Sequence, residues 1–168
     1  MDLLVIRHAI AEERADFART GEPDDHRPLT DDGRRKMTLA ARGLRRVLPA
    51  IDVLAASPLV RAAQTAAIVA DTYGISRTTT LEELVPEANP AALLPWLRDQ
   101  HRARTLGVVG HEPHLGELIS FLLSGQPSSF IALKKGSASL LSFGGKPDAG
   151  AATLQWLLTP AQLRRLAD

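Results

Sequence analysis

The sequence predicts an α/β fold, a mostly parallel central sheet flanked by helices. Two observations carry this. Short apolar runs bounded by polar residues alternate with longer stretches whose apolar residues recur at helical spacing. The first such run, Leu3-Leu4-Val5-Ile6, is continuously apolar, as a strand covered on both faces requires.

After that strand, bounded by Asp2 and Arg7, residues 11 to 36 mix charges of both signs with Gly21, Pro23 and Pro28. They read as a long solvated loop that partly folds over something. Thr30 has the character of an N-cap, with Asp31 and Asp32 at the positive end of the helix dipole. The helix is expected to reach about Val47, with Met37, Ala40, Ala41, Leu44 and Val47 on its apolar face. Ile51 to Ala56 reads as the second strand. Ser57-Pro58 then reads as an N-cap followed by proline at the first helical position. That helix carries Leu59, Ala62, Ala63, Ala66, Val69 and Ala70 and stops at Gly74. A weaker strand covers about Arg77 to Leu81, and Pro90 to Gln100 reads as helical around Leu93, Leu94 and Leu97. Thr105 to Val109 is a strand, and Gly110-His111-Glu112-Pro113 leads into a helix reaching roughly Leu123, its leucines facing the core. Ala138 to Phe143 and Thr153 to Leu158 read as a hairpin around the glycine-rich turn 144–150. A short helix, Pro160 to Ala167, closes the chain.

At 168 residues, 45% hydrophobic and 23% charged, the chain is long and apolar enough to bury a core, and residues 1–168 are expected to form a single domain. Lysine plus arginine (20) nearly balances aspartate plus glutamate (19), which argues against a nucleic-acid or anionic-membrane binder. The absence of cysteine excludes disulfides, thiolate catalysis and cysteine–metal sites. Neither a signal peptide nor a membrane-length apolar stretch is visible, so a soluble, cytoplasmic protein is expected.

In a parallel sheet, ligands bind beyond the carboxyl ends of the strands, often at helix N-termini. Three expected strands end in chemically capable residues: Arg7-His8, Ser57-Pro58-Leu59-Val60-Arg61 and Gly110-His111. Each alone reads as a solvated strand end, a surface ion pair or a capping residue. Together they place two arginines and two histidines along one sheet edge, a set suited to a doubly negative tetrahedral oxyanion. A histidine that is neutral near pH 7 is a capable nucleophile for phosphorus.

Four blocks resemble the histidine phosphatase superfamily: Leu4-Val5-Ile6-Arg7-His8-Ala9, Arg27-Pro28-Leu29-Thr30-Asp31-Asp32-Gly33, Ser57 through Ala66, and Gly107-Val108-Val109-Gly110-His111-Glu112-Pro113. They occur in the family's order, and the short, uninterrupted chain is most similar to its SixA-type phosphohistidine phosphatase branch. The resemblance implies a phosphoglycerate-mutase-like three-layer sandwich without a large cap insertion. It also implies that His8 is the nucleophile, that Arg7 and Arg61 grip phosphoryl oxygens together with His8, and that His111 completes the pocket. No metal and no cofactor are implied. The expected partner is a protein bearing phosphohistidine in signalling or phosphotransfer, or else a small phosphate ester. A phosphate-binding module without turnover is a third reading.

Ala9 stands where the family often has glycine, and a methyl group there is expected to leave the site intact. Glu83 resembles the position where relatives acting on alkyl phosphates carry their acid, and reads equally as a surface carboxylate. Asp24 and Asp25 are weaker acids for that role. Passage from Glu83 through Pro86 and Pro90 straight into the next helix leaves no room for a lid. An open pocket suits a phosphoryl group presented on a protein surface. His111 and His114 are three apart with proline between, unlike the four-residue spacing of a zinc-protease helix, so no metal site is expected. His114 is expected at the pocket rim or in solvent, and His26 and His101 in solvent. P-loop, dinucleotide-fold and serine-hydrolase glycine motifs are all absent.

Overall fold

The structure is a computed structural model describing residues 1–167. Its strands are β1 (Asp2–Arg7), β2 (Val53–Ala56), β3 (Thr79–Thr80), β4 (Thr105–Gly110), β5 (Ala138–Phe143) and β6 (Ala152–Leu158). They form one sheet in the order β3-β2-β4-β1-β5-β6. β3, β2, β4 and β1 pair in parallel, whereas β5 runs antiparallel to both β1 and β6. The helices are α1 (Arg14–Ala18), α2 (Asp31–Val47), α3 (Val60–Tyr73), α4 (Leu94–Asp99), α5 (His114–Ser124) and α6 (Pro160–Arg165).

The pleat of β1 explains its uninterrupted apolar run. Leu4 and Ile6 join one core cluster with Met37, Ala41 and Leu44 of α2, Ala66 and Val69 of α3, and Leu163 of α6. Leu3 and Val5 join a second cluster on the opposite face with Leu97 of α4 and Leu115, Leu118 and Leu122 of α5. The result is the expected three-layer sandwich with no large insertion.

Local signals set the boundaries. Thr30 accepts a hydrogen bond from Gly33 N (2.9 Å) and caps α2, as its sequence requires. Gly33 itself faces the carbonyl of Ile10, where any Cβ would collide with backbone, so glycine keeps the start of α2 tight against the segment after β1. Gly74 closes α3 in the left-handed conformation, φ 71°.

Several expectations are corrected. Val47 is 40% exposed, because at the end of α2 Leu44 and Leu48, rather than Val47, turn into the core. Ala63 is exposed as well, on the outward face of α3. That helix begins at Val60 with Leu59 as its N-cap residue, so Ser57 caps nothing and stays at the strand end. β2 and β3 are shorter than expected, and Pro90 to Gln100 divides into a 3-10 turn followed by α4. The 11–36 segment is no plain solvated loop. It carries α1, a 3-10 turn at Asp24–His26, a bridge between Ala11 and Leu29, and the buried Arg27.

Candidate active site

Strand register assembles the site. β4 lies between β2 and β1, with Arg7 opposite Gly110 and Ala56 opposite Val109. Two further backbone bonds carry the alignment past the strand ends: His8 N donates to Gly110 O (3.0 Å) and Ser57 N to Val109 O (3.0 Å). His8, His111 and Ser57 therefore emerge side by side at the carboxyl edge. The His8 and His111 rings lie 5.1 Å apart, centroid to centroid.

Arg7, His8, Arg61 and His111, far apart in sequence, all line one cavity of about 170 Å³. Arg14, Arg27 and Lys135 line it too, making five cationic side chains around two histidines. His8 and Arg61 are only 5% and 3% exposed. The Nε atoms of Arg7 and Arg61 and Nδ1 of His111 are buried without a hydrogen-bond partner among the described residues. Unsatisfied buried donors in a cationic concavity are suited to an anion.

The His8 tautomer follows from one contact. Its Nδ1 lies 2.7 Å from Ala9 O, and a carbonyl can only accept, so Nδ1 carries the ring proton. Nε2 is left with its lone pair. Burial, reinforced by Arg61, Arg7 and Lys135, pushes the His8 pKa down to about 3. His111 is pushed down to about 2, again chiefly by burial, and its Nε2 lies 2.9 Å from Ser57 Oγ. Ala9, the residue after His8, is fixed by its N–H donating to Thr65 Oγ1 (3.0 Å). Gln64 accepts from Leu29 N (2.8 Å) and anchors the overlying segment. The glutamine–threonine pair of α3 thus holds the loops around the nucleophile position.

That segment brings Asp24 against three of the arginines that line the cavity. Its carboxylate meets Arg27 Nε (2.8 Å), Arg14 Nη2 (3.2 Å) and Arg61 Nη1 (3.3 Å), and its carbonyl accepts from Arg61 Nη1 (2.9 Å). These partners, Arg27 first, hold the Asp24 pKa down to about 2, so it stays ionised and carries no proton to donate. Glu83 is partly exposed on the 3-10 turn Glu82–Leu84 and does not line the cavity, whereas Glu112 does. Burial raises the Glu112 pKa, against hydrogen bonds from the Leu133 and Gly116 amides. His114 corrects another expectation: it is fully buried in α5, and neither ring nitrogen has a hydrogen-bond partner among the described residues. It shares the buried face of α5 with Leu118 and Leu122, four and eight residues on. His26 and His101 are exposed, as expected. Among the described residues no cluster of three or more metal-ligating side chains occurs, and no helix is long and apolar enough to cross a membrane.

Arg14, Arg27, Lys135, Glu112 and Ser57 went unassigned to the site from sequence. Arg27 had a usable signal, since it opens the Arg27-Pro28-Leu29-Thr30 block. Lys135 had none, lying in an irregular connection between α5 and β5.

The fold and the cationic, histidine-bearing cavity define a hydrolase of phosphoryl groups. The chain belongs to the histidine phosphatase superfamily, whose branch 1 model matches residues 3–89. An uncharacterized protein of Picosynechococcus sp. is 36% identical over 137 residues, covering 80% of this chain and 81% of that one. The phosphohistidine phosphatase SixA of Escherichia coli (strain K12) is 28% identical over 172 residues, covering 98% and 97%. Among solved structures, the protein histidine phosphatase SixA complexed with tungstate superposes with a TM-score of 0.82 at 24% identity, covering 97% of this chain and 99% of that one. The alpha-ribazole phosphatase from Shigella flexneri shares the fold with a TM-score of 0.75 at 18% identity, covering 95% and 97%.

Proposed function

We propose that the protein is a metal-independent phosphohistidine phosphatase acting through a phosphorylated His8. The observation that carries the proposal is the His8 tautomer. With Nδ1–H committed to Ala9 O and the ring kept neutral by burial, Nε2 offers a lone pair inside a cationic cavity. Nε2 attacks phosphorus and forms a P–N bond while the bond from phosphorus to the leaving group breaks. Arg7 and Arg61 neutralise the equatorial oxygens, and His111 contributes a further donor through Nδ1 in the tautomer whose Nε2 accepts from Ser57. Water then attacks the phosphorus of phospho-His8, releasing phosphate and returning the imidazole.

Leaving-group chemistry supports the substrate class. A phosphohistidine ring protonated at its free nitrogen departs as neutral imidazole near neutral pH, with no strong acid required from the enzyme. Asp24 holds no proton, and Glu83 stands away from the cavity. One observation favours a small phosphate ester as a second reading: Glu112, a cavity-lining carboxyl whose pKa is raised, is a candidate acid for an alkoxide.

The test is hydrolysis, with EDTA present, of a phosphohistidine-bearing protein beside an aryl phosphate, wild type against His8→Ala. Rapid His8-dependent loss of the protein phosphoryl group is expected. Turnover of the aryl phosphate alone would overturn the substrate class, and substantial turnover by His8→Ala would remove His8 as nucleophile.

A further inference from the structure

A second cavity, of about 190 Å³, opens beside the catalytic one and shares Lys135 with it. It starts at Ala9, the residue after His8, and runs between α2 and α6. Its floor is apolar, formed by Met37, Ala40 and Pro160, and its rim is cationic, formed by Lys36, Lys135 and Arg164. Lys36 is committed to Asp32 at 2.6 Å. Lys135 and Arg164 have no ion-pair partner among the described residues. The slot is therefore amphipathic, its Lys135 and Arg164 charges unpaired among the described residues, and it begins one residue from the nucleophile.

We propose that this slot docks an acidic segment of the phosphorylated protein next to its phosphohistidine. Carboxylates of that segment face Lys135 and Arg164, while an apolar side chain covers Met37 and Pro160. Charge complementarity selects the occupant: a basic or neutral segment would leave both cations unpaired as their water is displaced. Lys135 belongs to both cavities, so the phosphoryl group and its flanking acid are read by one continuous positive surface. The inference rests on the phosphohistidine reading above and names the sequence character of the partner that reading requires.

The test uses two synthetic phosphohistidine peptides, one with aspartate and glutamate beside the phosphohistidine and one with serine in their place. The readout is the ratio of their kcat/KM values, which cancels any change in the phosphoryl cavity itself. Wild type is expected to favour the acidic peptide about tenfold, and the preference to shrink in high salt. Arg164→Glu is expected to bring the ratio close to one. Lys36→Glu, on another helix, does so partially and keeps the question open to measurement if the first variant fails to fold. A ratio of one in wild type, or a ratio untouched in both variants, overturns the docking proposal while phosphohistidine hydrolysis stands. Hydrolysis of neither peptide beside active turnover of an aryl phosphate overturns the substrate reading, and the docking proposal with it.

Discussion

Ser57 Oγ lies 2.9 Å from Nε2 of His111 and also accepts from Leu59 N at 3.3 Å. When the Ser57 hydroxyl donates its proton to Nε2, Nδ1 is the protonated nitrogen of His111. Nδ1 has no partner among the described residues. Ser57 thereby decides whether His111 offers a donor or a lone pair to the phosphoryl group. Ser57→Ala is expected to lower kcat about tenfold with a smaller change in KM, the signature of a donor that matters in the transition state. Steady-state kinetics check it, and unchanged kcat would detach Ser57 from the chemistry.

Ser57 also shows where sequence reading reaches its limit. Ser-Pro before an apolar stretch is a strong local start signal, but α3 begins three residues later and frees the serine for His111. Arg7, His8, Arg61 and His111 were legible because each ends, follows or closely follows a strand whose buried pattern fixes its place in the sheet. The sandwich was legible for the same reason. Asp24, Arg27, Glu112 and Lys135 depend instead on where irregular segments land after folding, and no periodicity encodes that. His114 lies four and eight residues before Leu118 and Leu122, so helical spacing puts it on the buried face of α5, a signal that its place beside the histidine motif obscures.

Asp24 is the anion in a cluster of arginines, two of which, Arg27 and Arg61, are 7% and 3% exposed. Removing its charge leaves those guanidinium groups uncompensated. Asp24→Asn is expected to cost about 1–2 kcal/mol at neutral pH, modest because the carboxylate itself is partly solvated. Millimolar phosphate should return much of that loss by supplying the missing anion. Thermal unfolding with and without phosphate checks this, and an equal phosphate shift in wild type and variant would contradict it. The pH dependence has a definite sign. The Asp24 pKa is depressed, so its contribution is complete above the ordinary carboxylate range and is lost as pH falls through about 2.

Three buried histidines make the protein sensitive to milder acid. His8, His111 and His114 have pKa values lowered by burial to about 3, 2 and 4. Below about pH 6.5 the unfolded chain binds protons that the folded chain refuses, so their contribution is complete above that pH and falls as pH drops below it. Each histidine accounts for about 2 kcal/mol of lost stability between pH 7 and pH 5. His114 faces no hydrogen-bond partner among the described residues, so His114→Leu removes one proton's worth of that loss together with an unsatisfied buried group. Urea unfolding at pH 7 and pH 5 should show a drop smaller by about 2 kcal/mol in the variant. An identical drop would mean that His114 is protonated within the folded state.

Glu112 and Arg7 grip the two sides of one residue: the Glu112 carboxylate accepts from Leu133 N at 2.9 Å, and Arg7 Nη1 donates to Leu133 O. The segment held this way leads on to Lys135, which lines the catalytic cavity. The Gly116 amide also bonds to the Glu112 carboxyl, so the group is surrounded by backbone donors that favour its ionised form, while burial favours the neutral one. A positioning role and an acid role for Glu112 make different predictions. If it positions Arg7 and Lys135, Glu112→Leu lowers kcat/KM about tenfold for phosphohistidine and aryl phosphate alike, and Glu112→Gln, which keeps an acceptor for Leu133 N, restores most of it. If it protonates an alkoxide, Glu112→Gln fails selectively on alkyl phosphates and spares phosphohistidine. The amides at the carboxyl favour the first outcome, and kcat/KM for the three substrates in the two variants decides between them. A selective loss on the alkyl phosphate would shift the substrate assignment toward small esters, because an enzyme that places an acid for an alkoxide has a use for one.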